Sequence, residues 1–121
     1  MKQNSIKVTY KGKEYILDRR EDKNCQMVFE ADRWSVRIYA LANNNFRIII
    51  DKSIKKSATE YHLQFCYDCY CELHSYYLFL NDVSDPATCR KIKNRTKWHI
   101  IQPILNEIYT QLKEELPTIQ L

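Results

Sequence analysis

The end of the chain constrains the fold most. Between positions 96 and 116, Trp98, Ile101, Ile104, Leu105, Ile108 and Leu112 recur at three- and four-residue intervals, with Gln102, Asn106, Thr110 and Lys113 between them. That spacing predicts one amphipathic helix, which has to lay its apolar stripe on another surface. Pro103 falls inside it. At roughly 100° per residue the proline points away from the stripe, so a bend is expected rather than an end. Burying the stripe is worth on the order of 10 kcal/mol gross, comparable to the net stability of a domain.

Strand-like sequence upstream supplies the surface. Residues 6–10 and 13–17 keep a period-two pattern on either side of Lys11 and Gly12, which predicts a β-hairpin. A charged loop follows over 18–24. Cys25, Met27 and Phe29 then alternate with Gln26, Val28 and Glu30. After an interruption at Asp32 and Arg33, Trp34, Val36, Ile38 and Ala40 alternate with Ser35, Arg37 and Tyr39. Asn43, Asn44 and Asn45 make a turn, because asparagine tolerates the left-handed conformation, and 46–51 make a fifth strand. Strands joined this closely are antiparallel neighbours, so the first half is a meander.

Two patterns overlap in residues 57–80. Tyr61, Leu63, Phe65, Tyr67, Cys69, Cys71 and Leu73 alternate with polar residues as strands require. Against this, Ser57, Ala58, Thr59 and Glu60 resemble a capping box, and Glu60, Gln64, Asp68 and Glu72 form a four-residue polar stripe suited to a helix. The abundance of Tyr, Phe and Cys favours strands. Asp85 and Pro86 then mark a short helix running to about Lys93, ahead of the long one.

The expected architecture is one α+β domain over 1–121, mainly β over 1–80 and helical over 85–116. It is an antiparallel meander of five to seven strands, folded into a sandwich or a partly open barrel, with the C-terminal amphipathic helix packed on it. Strand number, chain length and the closing helix resemble a pleckstrin-homology-like arrangement. That resemblance lies in element order and carries no functional residues with it.

Chemical signatures are sparse. Gly12 is the only glycine in 121 residues, whereas phosphate-binding loops, dinucleotide fingerprints and nucleophile elbows need several. That excludes Walker-type NTPases, Rossmann enzymes and α/β-hydrolases, and no cofactor is expected. The N-terminal stretch lacks the apolar core of a secretion signal, and the longest apolar run, 76–80, is too short to span a bilayer. The chain therefore reads as cytoplasmic, with its five cysteines reduced. Cys66, Cys69 and Cys71 form C-x-x-C-x-C between His62 and His74, a set of soft ligands suited to zinc. On a strand Cys66 faces away from the other two, and on a helix Cys71 diverges, so neither regular geometry gathers three sulfurs. Buried apolar cysteine is the expected reading. Cys89, beside Arg90 and Lys91, has the best electrostatic case for a reactive thiol.

Charge is more telling. The formal net charge is only +4, but Arg90, Lys91, Lys93, Arg95 and Lys97 fall within eight residues that contain no acid. Cations at a helix start oppose its macrodipole at about 0.3–1 kcal/mol each, so folding alone gives no reason to place them there. A bound anion would relieve that strain. The expected binding site is therefore this run together with Trp98 and His99. The expected function is a non-enzymatic module that binds an acidic partner, a protein or a lipid headgroup, through a basic aromatic-bearing surface. The alternative is a nucleic-acid-binding protein contacting phosphates through the same run. A small cysteine- or zinc-dependent enzyme is the third reading.

Overall fold

Lys11 and Gly12, with φ of 51° and 77°, both sit in the left-handed region. They form a two-residue hairpin turn whose twist matches the strands it joins. It pairs β1 (Ser5–Tyr10) with β2 (Lys13–Arg20), from Tyr10↔Lys13 to Ser5↔Asp18. The computed structural model describes residues 3–41, 46–56, 59–68, 73–80, 89–91 and 95–116. The remaining elements are β3 (Met27–Ala31), β4 (Trp34–Ala40), β5 (Phe46–Lys56), β6 (Thr59–Asp68), β7 (Leu73–Leu80), β8 (Cys89–Lys91) and α1 (Arg95–Leu112).

Each strand pairs antiparallel with the next, giving one eight-stranded sheet in sequence order. The meander is as expected, and so is the α+β class. Residues 57–80 contain β6 and β7 rather than a helix, with Thr59 and Glu60 of the expected capping box inside β6. Ser57, Ala58 and the turn at 43–45 lie outside the described residues. The loop after β2 starts later than expected, because β2 runs on to Arg20.

One expectation is overturned. Cys89, Arg90 and Lys91 are not helical but form β8, paired as Phe79↔Cys89, Leu78↔Arg90 and Tyr77↔Lys91. The eighth strand exceeds the expected five to seven. Helix-start signals are weak local preferences, and the unpaired backbone along the edge of β7 outweighs them. Asp85, Pro86 and Lys93 lie outside the described residues.

The sheet curls strongly. Tyr10 on β1 and Trp34 on β4 are three strands apart, roughly 14 Å in a flat sheet. Their ring centroids are 5.4 Å apart in an edge-on contact. This open, half-barrel curl carries its core on the concave face, where cross-strand rows such as Phe29, Val36, Ile50 and Phe65 are buried. Val28, expected on the outer face, is also buried. Its cross-strand neighbours there are Arg20 and Arg37, whose long aliphatic stems suit them to cover it.

Helix α1 fills the concavity. Ile101, Ile104, Leu105, Ile108 and Leu112 are buried, as is Leu116 in the turn that follows, while Pro103 is exposed. The helix continues past the proline, as its position opposite the stripe predicts.

A second stripe of the helix serves β1, an edge strand of the sheet. The Thr9 N–H donates to Glu107 Oε1 at 2.6 Å, the Lys7 N–H to Gln111 Oε1 at 2.7 Å and the Gln3 N–H to Glu115 Oε2 at 3.0 Å. From Glu107 to Gln111 four helical residues rise about 6.0 Å and the two strand residues from Thr9 to Lys7 about 6.6 Å, so these two side chains keep pace with alternate edge amides, while Glu115, in the turn after α1, reaches Gln3 just before β1. The β1 edge is thereby closed to strand addition.

Candidate functional site

The expected basic run is spread over two elements. Arg90 and Lys91 lie on β8 at the end of the sheet, while Arg95, Lys97, Trp98 and His99 lie on α1. The first turn of α1 holds no acidic residue of its own. Lys93 and the side chains of the other six lie outside the described residues. Cys89 stands on β8 and not at a helix start.

A different basic aromatic cluster is built at the rim of the half-barrel, and the sequence reading missed it. The β1–β2 hairpin brings Tyr10, Lys11, Lys13 and Tyr15 to the strand pair that carries Trp34 and Lys52, which are register partners. Tyr10 and Tyr15 flank Trp34 with centroids at 5.4 Å and 5.2 Å. Three ammonium groups cover these rings. Lys52 Nζ is 4.0 Å from the Tyr10 centroid and 5.5 Å from that of Trp34, Lys11 Nζ is 5.4 Å from Tyr10 and Lys13 Nζ is 5.4 Å from Tyr15. Such contacts favour the charged amines by about 0.5–1 kcal/mol each at exposed sites.

The electrostatics of the rim are one-sided. Among the described residues, none of Lys11, Lys13 and Lys52 forms an ion pair with a carboxylate. Burial, and then the Lys11 charge, push the Lys52 ammonium below the usual lysine range. The left-handed Lys11 and Gly12 aim the hairpin tip, and the Lys11 and Lys13 it carries are exposed. The site draws on β1, β2, β4 and β5, so only the curl of the sheet assembles it. Its sequence signal is faint: lysines at 11, 13 and 52 show no local density.

The two metal candidates among the described residues, His62 and Cys66, are not brought together. His62 Nδ1 lies 3.0 Å from Asp51 Oδ1. Cys66 is four residues further along β6, about 13 Å away, too far to share an ion with it. Cys69, Cys71 and the side chain of His74 lie outside the described residues. No group of three His, Cys, Asp or Glu side chains suited to a metal occurs among the described residues. Cys25 is a free thiol, and burial and the nearby Asp22 carboxylate push it up, away from the reactive thiolate.

No family model, curated protein or solved structure matches this chain. The pleckstrin-homology-like resemblance therefore rests on element order alone. No helix among the described residues is long and apolar enough to cross a membrane.

Proposed function

We propose that this chain is a non-enzymatic binding module that recognises an acidic partner, a protein or a lipid headgroup, through basic aromatic-bearing surface. The rim formed by Lys11, Lys13 and Lys52 over Tyr10, Tyr15 and Trp34 is the binding surface, and the run at Arg90, Lys91, Lys93, Arg95 and Lys97 is its second basic element. One observation carries this reading: Lys52 is held half-buried beside the Lys11 charge, and among the described residues no carboxylate pairs with either. Folding gains nothing from that repulsion, whereas a carboxylate or phosphate placed between the amines relieves it and draws on charge-assisted hydrogen bonds.

Protein or headgroup anions suit the rim better than nucleic acid does. Sequence-tolerant binding of single strands needs exposed rings on which bases stack. Trp34 and Tyr10 are only 4% and 8% exposed, so their faces are occupied by the core and the lysine stems.

The test compares two variants of the intact chain, Lys11→Gln/Lys13→Gln/Lys52→Gln and Arg90→Gln/Lys91→Gln/Lys93→Gln/Arg95→Gln. The probes are a glutamate-rich peptide, vesicles containing an anionic phospholipid, and a random oligonucleotide. The expected result is peptide or vesicle binding by the native chain that the rim variant loses while its unfolding transition is retained. Equal binding by a folded rim variant refutes the rim. Oligonucleotide binding that falls steeply with salt and disappears only in the second variant establishes the nucleic-acid alternative instead.

A further inference from the structure

The face of the sheet opposite the helix carries a row of polar residues at matched register. Glu30 pairs with Ser35, Ser35 with Asp51 and Asp51 with Gln64. Neighbouring strands lie about 4.8 Å apart, so the two carboxylate residues stand roughly 10 Å apart at Cα with the shortest side chain of the row between them. A hollow of about 450 Å³ opens there, lined by these four residues together with Arg37, Tyr39, Ile49 and His62. Small-molecule sites typically span about 300–1,000 Å³.

The charges around this hollow do not cancel. Arg37 is already shared between Asp22, at 3.4 Å, and Glu30, at 3.6 Å. Asp51 accepts from the Gln64 amide at 3.5 Å and holds His62 at 3.0 Å. Of the residues that line it, the Glu30 and Asp51 carboxylates against the Arg37 guanidinium leave a formal charge of −1 with His62 neutral, and Asp22, outside the lining, takes part of the Arg37 charge. The central hydroxyl, Ser35 Oγ, is buried and has no hydrogen-bond partner among the described residues. A buried hydroxyl left in that state costs stability that a ligand donor restores.

We propose that the hollow binds a small organic cation carrying a primary ammonium. An ammonium has three N–H donors and no acceptor, which matches Glu30, Ser35 and Asp51 as three acceptors in one row, and its charge offsets the carboxylates. Its aliphatic part lies along Ile49. An anion would meet net negative charge, and an apolar ligand would desolvate two carboxylates without pairing them. Access to Ser35 Oγ requires side chains to part, which the half-exposed Glu30 and Arg37 allow, at 41% and 39% exposure. This site is separate from the lysine rim and independent of the function proposed for it.

The ammonium can come from a free amine or from a lysine side chain of a peptide, and one titration separates them. Amide resonances of the full chain are followed by NMR at fixed ionic strength with 1,5-diaminopentane, with a capped Gly-Lys-Gly peptide and with propionate as the anionic control. Saturable shifts at Ser35, Ile49, Asp51 and Gln64 with either amine, and none there with propionate, are expected. Saturation by the diamine alone assigns a free amine, and saturation by the peptide assigns a lysine side chain. Glu30→Gln, at a half-exposed position, is expected to weaken binding about tenfold with the unfolding transition retained, and Ser35→Ala by a smaller factor. Shifts that never saturate, that persist unchanged in Glu30→Gln, or that centre on Lys11, Lys13 and Lys52 overturn the proposal. The rim variants leave this titration unaltered, so failure here is distinguishable from failure of the proposed function.

Discussion

Gln111 treats Lys7 as a neighbouring strand would. Its Oε1 accepts the Lys7 N–H at 2.7 Å and its Nε2 donates to the Lys7 carbonyl at 2.8 Å, so one side chain satisfies both edge groups of that residue. Gln111→Ala leaves both without their partner. The expected cost is about 1–3 kcal/mol, read as a lower urea midpoint. The variant is also expected to self-associate, because the β1 edge then offers open backbone groups. Sedimentation velocity checks this. A variant that is destabilised but strictly unchanged in association state would show that Glu107 and Glu115 suffice to block the edge.

Glu115 ties the end of α1 to the first two strands. It accepts from the Gln3 N–H at 3.0 Å and from Arg19 Nη1 at 2.8 Å, and Arg19 Nη1 also donates to the Gln3 carbonyl at 3.0 Å. Burial alone would raise the Glu115 carboxyl, but the hydrogen bonds from Gln3 and Arg19 and the guanidinium charge outweigh it and hold the group below the usual carboxylate range. The unfolded chain therefore takes up this proton more readily than the folded one. The stabilisation is present above the ordinary carboxylate pKa of 4.5 and is lost as pH falls through the depressed folded value. Urea midpoints measured down the acid limb are expected to fall less steeply for Glu115→Gln than for the native chain. Parallel acid limbs would remove Glu115 from the account.

The helix was legible in sequence because its signal is one-dimensional: an apolar period that any concave partner satisfies. The meander was legible for the same reason, through alternation and short turns. Glu107, Gln111 and Glu115 recur at four-residue spacing beside the stripe, but their partners become visible only once the strand register is known. β8 was illegible because three residues carry no period, and its pairing is decided by the edge of β7. The rim joins Lys52 to Tyr10 across 42 positions through the curl of the sheet, a property that no local pattern encodes.

Gly12 tests the hairpin turn cleanly. Its φ is +77°, and a Cβ built there meets nothing within 4 Å. The cost of Gly12→Ala is therefore backbone strain alone, about 1–2 kcal/mol, with no steric part. Chemical denaturation is expected to return a loss in that range with an unchanged m-value. A neutral result would mean that the turn relaxes out of its left-handed conformation, and the rim lysines it carries would then lose their placement.

Lys52 connects stability to binding. Its ammonium is held below the ordinary lysine value of 10.5 by burial and by Lys11, so the unfolded chain keeps this proton to higher pH than the folded chain does. Folding stability therefore carries a penalty while Lys52 is charged, and regains it as pH rises through the folded value toward 10.5. Lys52→Met removes both the penalty and the rise, so the stability difference between native chain and variant is expected to shift in favour of the native chain across that alkaline window. A glutamate-rich peptide bound at the rim supplies the missing negative charge and returns Lys52 toward its ordinary range. Complex formation at alkaline pH is then accompanied by proton uptake in the native chain and by less in Lys52→Met, measurable by calorimetry in buffers of different ionisation enthalpy. Peptide binding with equal proton uptake in both proteins would place the partner away from Lys52.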